Sequence, residues 1–397
     1  MYVLLLGNFA SYRIPQLNLG WRHFSRLLEA AAYFGSERGI EQSITLCRFG
    51  APPGKLCLRA GGEMAKNPYR PFTPNDEFVS LVGDYSGNEI NGLGESEVRP
   101  PSMVWWAPDM DSVVFGDAQK WFYGHEQPDE EMADLRHRRR LAVEAPLPDV
   151  AASRRERTSE EWVTELQSFV AAGDCEMTGV AELDPDWVFD HEEVQLPRVV
   201  MLGVQHQYEE LQHVPELRGG KDVTRQYLRA AEVSKKVAAW IREQGYQADA
   251  VTGPMTGKIL MIPPALACGF GELGKHGSII NPEFGSAFRL GAVLTDAPFA
   301  LTAPREFGID DFCSRCRVCE NACPPIAIKP DKQMVRGVEK WYVDFDQCIP
   351  FFAESSGCAI CIAVCPWSRP GVGPNLADKL ARRAKRLAAE QGENDSE

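Results

Sequence analysis

At 397 residues, 44% of them hydrophobic and 25% charged, the chain is long enough for two or three domains with ordinary globular cores. A formal charge of −14 and a pI near 5.1 argue against general binding to nucleic acid or to an anionic membrane. No run approaches the length of a membrane span, and Met1-Tyr2-Val3-Leu4-Leu5-Leu6-Gly7 lacks the basic n-region, long apolar run and twin-arginine pair of an export leader. A cytoplasmic protein is the expectation.

In chain order, residues 1–158 read as an N-terminal unit of uncertain fold, with a helix over 21–34 followed by Pro- and Gly-rich stretches. Trp105, Trp106, Trp121, Phe122 and Tyr123 form an aromatic concentration that suits a core better than a pocket wall. The run Arg138-Arg139-Arg140 and the pair Arg154-Arg155 read as solvated faces, and residues 144–149 as a linker. A helix is expected over 159–171, with Ser159 as its N-cap and Trp162, Leu166 and Phe169 on one face. The apolar run 198–204 suits a buried strand. Next comes a long helix over 222–244, where Val223, Tyr227, Ala230, Ala231, Val237, Trp240 and Ile241 keep helical spacing and Gly245 stops it. Short strands are expected over 248–251 and 289–295, and a charged helical tail over 376–397.

The most specific pattern is Cys313-x2-Cys316-x2-Cys319-x3-Cys323-Pro324, followed by Cys348 and then Cys358-x2-Cys361-x3-Cys365-Pro366. Thiolates at x2 spacing wrap one cube in a tight turn, and the proline after the last cysteine stiffens the exit. Eight thiolates in this order fit two [4Fe–4S] clusters. The ferredoxin crossover assigns Cys313, Cys316, Cys319 and Cys365 to one, and Cys348, Cys358, Cys361 and Cys323 to the other. Nine residues separate Cys348 from Cys358 where a regular run has two, so Cys348 is the least secure ligand. Zinc sites or disulfides are the alternatives, and C-x2-C-x2-C-x3-C-P is not a zinc-ribbon spacing. Cys47, Cys57, Cys175 and Cys268 remain as ordinary thiols, which points to a reducing compartment.

Gly269-Phe270-Gly271-Glu272-Leu273-Gly274 matches G-x-G-x-x-G, but the stretch before it reads as a helix start and no βαβ unit follows, so a dinucleotide site is rejected. The segment from Gly253 to Lys258 fails as a phosphate loop as well, since Ile259 stands where Ser or Thr is needed. With the flanking run from Lys275 to Gly277, the Asn281-Pro282-Glu283-Phe284-Gly285 motif, residues 289–296 and the two-cluster module, the segment resembles the corrinoid-dependent reductive dehalogenases. The strand over 199–204 and the helix ending in Gly245-Tyr246 agree.

The resemblance implies an α+β protein: a nitroreductase-like corrinoid-binding core over 159–304, a bacterial ferredoxin-like two-[4Fe–4S] module over 305–370, and a tail over 371–397. It implies cobalamin or a related cobamide in base-off form, with Gly271, Gly274, His276, Asn281, Glu283, Phe284, Gly285 and Thr295 among its contacts. It also implies Tyr227 as proton donor, with Lys275 as the cation that favours the phenolate. Read from the residues alone, Tyr227 is equally a core-facing tyrosine and Lys275 a solvated or cluster-proximal lysine. His206 and His213 read as loop or satisfied polar residues. Partners implied are a small organohalide and a soluble electron donor such as ferredoxin or flavodoxin, with no nucleic acid and no membrane span. The chain departs from respiratory members in showing no leader. The rivals are epoxyqueuosine reductase, whose Asp-Ser/Thr-Ala-Pro-x-Glu-Arg stretch has no counterpart over 255–266, and a plain two-cluster electron carrier.

Overall fold

The computed structural model describes residues 67–394 apart from 108, 126–127, 171–173 and 254–256, so the helix expected over 21–34 lies outside the described residues. Four helices come first: α1 (Asp76–Val82), α2 (Gly87–Ile90), α3 (Gly116–His125) and α4 (Glu130–Glu144). Asp129 caps α4 by accepting from the Met132 N–H at 2.8 Å. Lys221 then ties that cap and Glu131 to a later helix at 2.8 and 2.9 Å. Buried Met132, Leu135 and Arg139 lie at i, i+3 and i+7, so they share one face of α4. Arg139, read as solvated, is therefore buried, and the helical period decides its direction.

Helix α5 (Ser159–Val170) follows the expected bounds, but its cap is Thr158. The Thr158 hydroxyl accepts from the Glu161 N–H, and Glu161 Oε2 accepts from the Thr158 N–H at 2.8 Å, a reciprocal capping box. The sheet is built from β1 (Met177–Glu182), β2 (Arg198–Gln205), β3 (Ala248–Val251) and β6 (Phe288–Thr295) in the order β1-β2-β6-β3, with every pair antiparallel. Between β2 and β3 run α6 (Tyr208–Leu211) and the long α7 (Leu217–Glu243). Between β3 and β6 come α8 (Ile262–Ala267) and a hairpin of β4 (Glu272–Leu273) and β5 (Ile279–Ile280). Helix α8 occupies the stretch rejected as a dinucleotide strand.

Strand alternation splits the core in two. Val200, Leu202, Val204 and Val293 pack on Ala230, Val233, Val237 and Ile241 of α7, while Val199, Met201, Leu290, Ala292 and Leu294 pack on Met261, Ala265 and Phe270. Each Val, Leu, Ile, Met or Phe side chain among them contributes about 1.5–3 kcal/mol through burial. Gly291 permits the close crossing of α7 over the sheet, because a Cβ there would stand 2.4 Å from Ser234 Oγ and 2.8 Å from the Ala230 carbonyl.

The cysteine-rich end comprises α9 (Ile309–Arg315), α10 (Val318–Ala322), the hairpin β7 (Gln333–Val335) and β8 (Val338–Lys340), α11 (Phe345–Glu354), α12 (Ile360–Ala363) and α13 (Val372–Asn394). The early aromatics pack on it: Phe78, Trp105, Phe115 and Phe122 share one core with Phe345, Phe351 and Phe352. Among the described residues no helix is long and apolar enough to cross a membrane.

Candidate functional site

The ten described cysteines are all free, and eight of them gather at the cysteine-rich end. Cys319 and Cys365 have Cys313 and Cys316 as electrostatic neighbours, whereas Cys348 faces Cys358, Cys323 and Cys361. Cys319 also has Cys361 as a neighbour and Cys361 has Cys365, so the two expected sets adjoin in one group of thiols. Cys348 joins the second set from α11, a helix, which accounts for the irregular gap before Cys358. At the far end of that gap Cys358 and Ala359 adopt left-handed backbone at φ 55° and 64°. Burial raises the thiols of Cys313, Cys319, Cys323, Cys348, Cys358, Cys361 and Cys365, and the neighbouring thiols add to it for most of them. Eight thiolates so placed require positive charge among them, which iron supplies on ligation.

Beside the cysteines lies a largely apolar cavity of about 590 Å³, within the range of ligand sites. Its walls come from every part of the described chain: Trp105 and Trp106 before α3, Tyr227 from α7, Met261 and Leu266 around α8, Gly277 from the hairpin loop, and Trp341 after β8. The early aromatics are therefore both core and wall. Tyr227 is 2% exposed, and two guanidiniums lie against its ring, Arg289 at 5.3 Å and Arg139 at 5.9 Å from the centroid. Burial raises the Tyr227 phenol above its ordinary value, and the two arginines pull it part of the way back. Arg289 is 1% exposed, with Nε and Nη2 lacking any hydrogen-bond partner, and Arg139 Nε lacks one too. Buried donors without partners are costly, and an acceptor group placed beside them would satisfy them.

One turn before Tyr227, Asp222 accepts from His206 Nδ1 at 2.6 Å, with both side chains fully buried. Burial, helped by Arg289, pushes the His206 pKa down against the pull of Asp222, and its Nε2 is unpartnered. His206 was expected to be a satisfied polar residue, and half of it is.

Several expected contacts take other roles. Lys275 is not among the cations at Tyr227. It sits at the cysteines, with its backbone N–H on the Cys313 thiol and its Nζ 3.7 Å from Glu320 Oε2. A Cβ on Gly271 would stand 2.0 Å from the Ile280 carbonyl, one on Gly274 2.6 Å from Ile280 Cδ1, and one on Gly285 2.3 Å from the Ser368 nitrogen. These glycines let protein approach protein on that side. His276 bonds Ser286 Oγ at 3.0 Å and the Ser278 N–H at 3.3 Å, and burial lowers its pKa to about 4. The Thr295 hydroxyl donates to the Gln247 carbonyl at 2.7 Å and accepts from the Ala297 N–H. Asn281, Glu283 and Phe284 do reach a pocket, a second one of about 460 Å³ that also includes Phe270 and Arg305.

Sequence reasoning missed Arg289 as a site residue, although a lone charge in an otherwise apolar strand was a usable signal. It also passed over Arg70, whose guanidinium donates to the Cys323 and Glu320 carbonyls.

Residues 312–368, which hold all eight of these cysteines, match the family described as 4Fe-4S dicluster domain. Beyond that module, the chain is 33% identical over 218 residues to the tetrachloroethene reductive dehalogenase of Dehalobacter restrictus, covering 52% of this chain and 39% of that one. It is 24% identical over 245 residues to the enzyme of the same name from Sulfurospirillum multivorans, covering 50% and 48%. The epoxyqueuosine reductase of Salmonella typhimurium gives a shorter match, 33% over 143 residues, covering 32% and 34%. Among solved structures, a B12-dependent reductive dehalogenase superposes with a TM-score of 0.55 at 23% identity, covering 65% of this chain and 40% of that one. A catabolic reductive dehalogenase in complex with 3-bromo-4-hydroxybenzoic acid does so with 0.55 at 21%, covering 72% and 41%. The fold is that of the reductive dehalogenases, and over its matched half the chain is homologous to them. It spans about two fifths to one half of the length of these dehalogenase relatives.

Proposed function

We propose that this chain is a cobamide- and iron–sulfur-dependent reductive dehalogenase, in which the α+β region around the sheet acts as a nitroreductase-like cobamide-binding core. The observation that carries the reading is Tyr227, buried at the wall of the large cavity under two guanidiniums. Replacing a carbon-bound halogen by hydrogen consumes two electrons and one proton and releases halide. Burial keeps the Tyr227 phenol protonated, so its O–H is in place as the proton donor, and Arg289 stabilises the phenolate that is left. A reduced cobamide, when bound, supplies the electron pair that breaks the carbon–halogen bond.

The cavity walls suit such a group, since Trp105, Trp106 and Met261 offer apolar area. Asn281, Glu283 and Phe284, at the second pocket, are available to a nucleotide tail in the base-off form. The two thiol sets hold two [4Fe–4S] clusters that take electrons one at a time from a soluble donor of the ferredoxin or flavodoxin class. Aromatic walls suit haloaromatic, haloalkene or perfluorinated substrates. A plain electron carrier has no use for a buried tyrosine–arginine pair at a cavity. The test is anaerobic reconstitution with iron, sulfide and hydroxocobalamin, then halide release from those three substrate classes with reduced viologen. Halide from at least one class, dependent on added cobamide, is expected; iron-replete, cobamide-loaded protein releasing none from any class would contradict the reading.

A further inference from the structure

Lys275 is left without a task once Arg289 and Arg139 are placed at Tyr227. It is 2% exposed, a burial that a lysine meets only when something anionic holds it. Its position is fixed by the hairpin. The Gly274 N–H donates to the Ser278 carbonyl at 2.8 Å and the Gly277 N–H to the Gly274 carbonyl at 2.9 Å, which closes the loop that bears Lys275. At the root of the same hairpin, the Glu272 carboxylate accepts from the Ile309 and Asp310 N–H groups at 3.2 and 3.1 Å, capping the helix that carries Cys313. The loop and the first cluster ligand are thereby clamped together.

Within that clamp the Lys275 N–H donates to the Cys313 thiol, and its ammonium acts on the same sulfur. Nζ lies 5.2 Å over the Trp341 ring, which lines the large cavity, and 3.7 Å from Glu320 on the helix of Cys319. Glu320 does not cancel the ammonium alone, because its other oxygen is taken by Arg317. Lys275 thus holds a buried ammonium at the Cys313 sulfur, with Glu320 as a countercharge it shares with the exposed Arg317.

We propose that Lys275 sets the reduction potential of the cluster held by Cys313, Cys316, Cys319 and Cys365, raising it above that of the second cluster so that the electron collects there. The inference rests on the cluster reading but not on cobamide or on dehalogenation. A low-potential one-electron donor reduces the oxidised cluster by one electron, adding one negative charge to a buried site. A fixed ammonium at Cys313 favours that reduced state, and a backbone N–H on the sulfur acts in the same direction. Lys275 is in this sense a positioning charge and not a catalytic group.

The test is an EPR-monitored reductive titration of the full chain reconstituted with iron and sulfide, with dithionite as donor and iron content measured on each sample. Lys275→Met should shift one of the two midpoint potentials to more negative values and leave the other in place, while Lys275→Arg should stay near the parent. Glu320→Gln provides the opposite arm: removing the countercharge should shift the same potential to more positive values, which keeps the inference testable should Lys275→Met not assemble. Unchanged potentials in both Lys275→Met and Glu320→Gln, or equal shifts of both clusters, would overturn it. A parent chain that takes up no iron or sulfide would overturn the cluster reading itself, which the iron analysis separates from the first outcome.

Discussion

Tyr227→Phe is expected to lower turnover by about 10²- to 10⁴-fold, the range for loss of a positioned general acid, while the protein keeps its iron and its cobamide. The substitution removes one oxygen from a side chain that is 2% exposed and packs in the same core as Leu211 and Val223. The ring, and with it the packing, is retained. What is lost is the phenol oxygen of the ring held against Arg289 and Arg139. Solvent cannot replace the proton readily at so buried a place, so the loss should appear in kcat more than in KM. Halide release measured alongside cofactor content checks this; turnover within a factor of two of the parent would remove Tyr227 from the chemistry.

Arg289→Met should separate function from stability. The guanidinium is buried with two nitrogens that have no hydrogen-bond partner, so its charge costs the fold free energy in the absence of a ligand. An apolar side chain of similar length fills the same space on β6, and the thermal midpoint of the cofactor-free chain should stay level or rise. Without the cation, burial alone acts on Tyr227 together with the more distant Arg139, and the phenol becomes a weaker acid. Turnover should fall by about 10- to 10²-fold, and Arg289→Lys should recover part of it. A variant with both lower stability and full activity would show that Arg289 holds the fold and not the reaction.

What could be read from the sequence follows from which signals are local. The eight cysteines carry their chemistry in their spacing, and the structure gathers all eight at one end, Cys348 included. The expected strand over 198–204, the long helix and the stop at Gly245 are set by period and by end chemistry, and all three appear. Tyr227 reaches the cavity wall because a helix fixes direction. Lys275 was misplaced because a loop does not: the hairpin turns its side chain toward Cys313, and that turn depends on Glu272 gripping a helix formed more than thirty residues later. Gly271, Gly274 and Gly285 carry the same ambiguity, since glycine serves a ligand's approach and a neighbouring strand's approach equally well. Arg139 hid in a basic run, and only the pattern of Met132, Leu135 and Arg139 along one helix shows that it points inward.

The most direct measurement is the visible spectrum of anaerobically reconstituted protein after gel filtration, read together with its iron content. About one cobamide per chain in the base-off form, co-eluting with about eight irons, is the expected result. Iron and sulfide at that level with every offered cobamide left in the small-molecule fraction would contradict the account, and would leave a two-cluster relay beside a cavity built for something else.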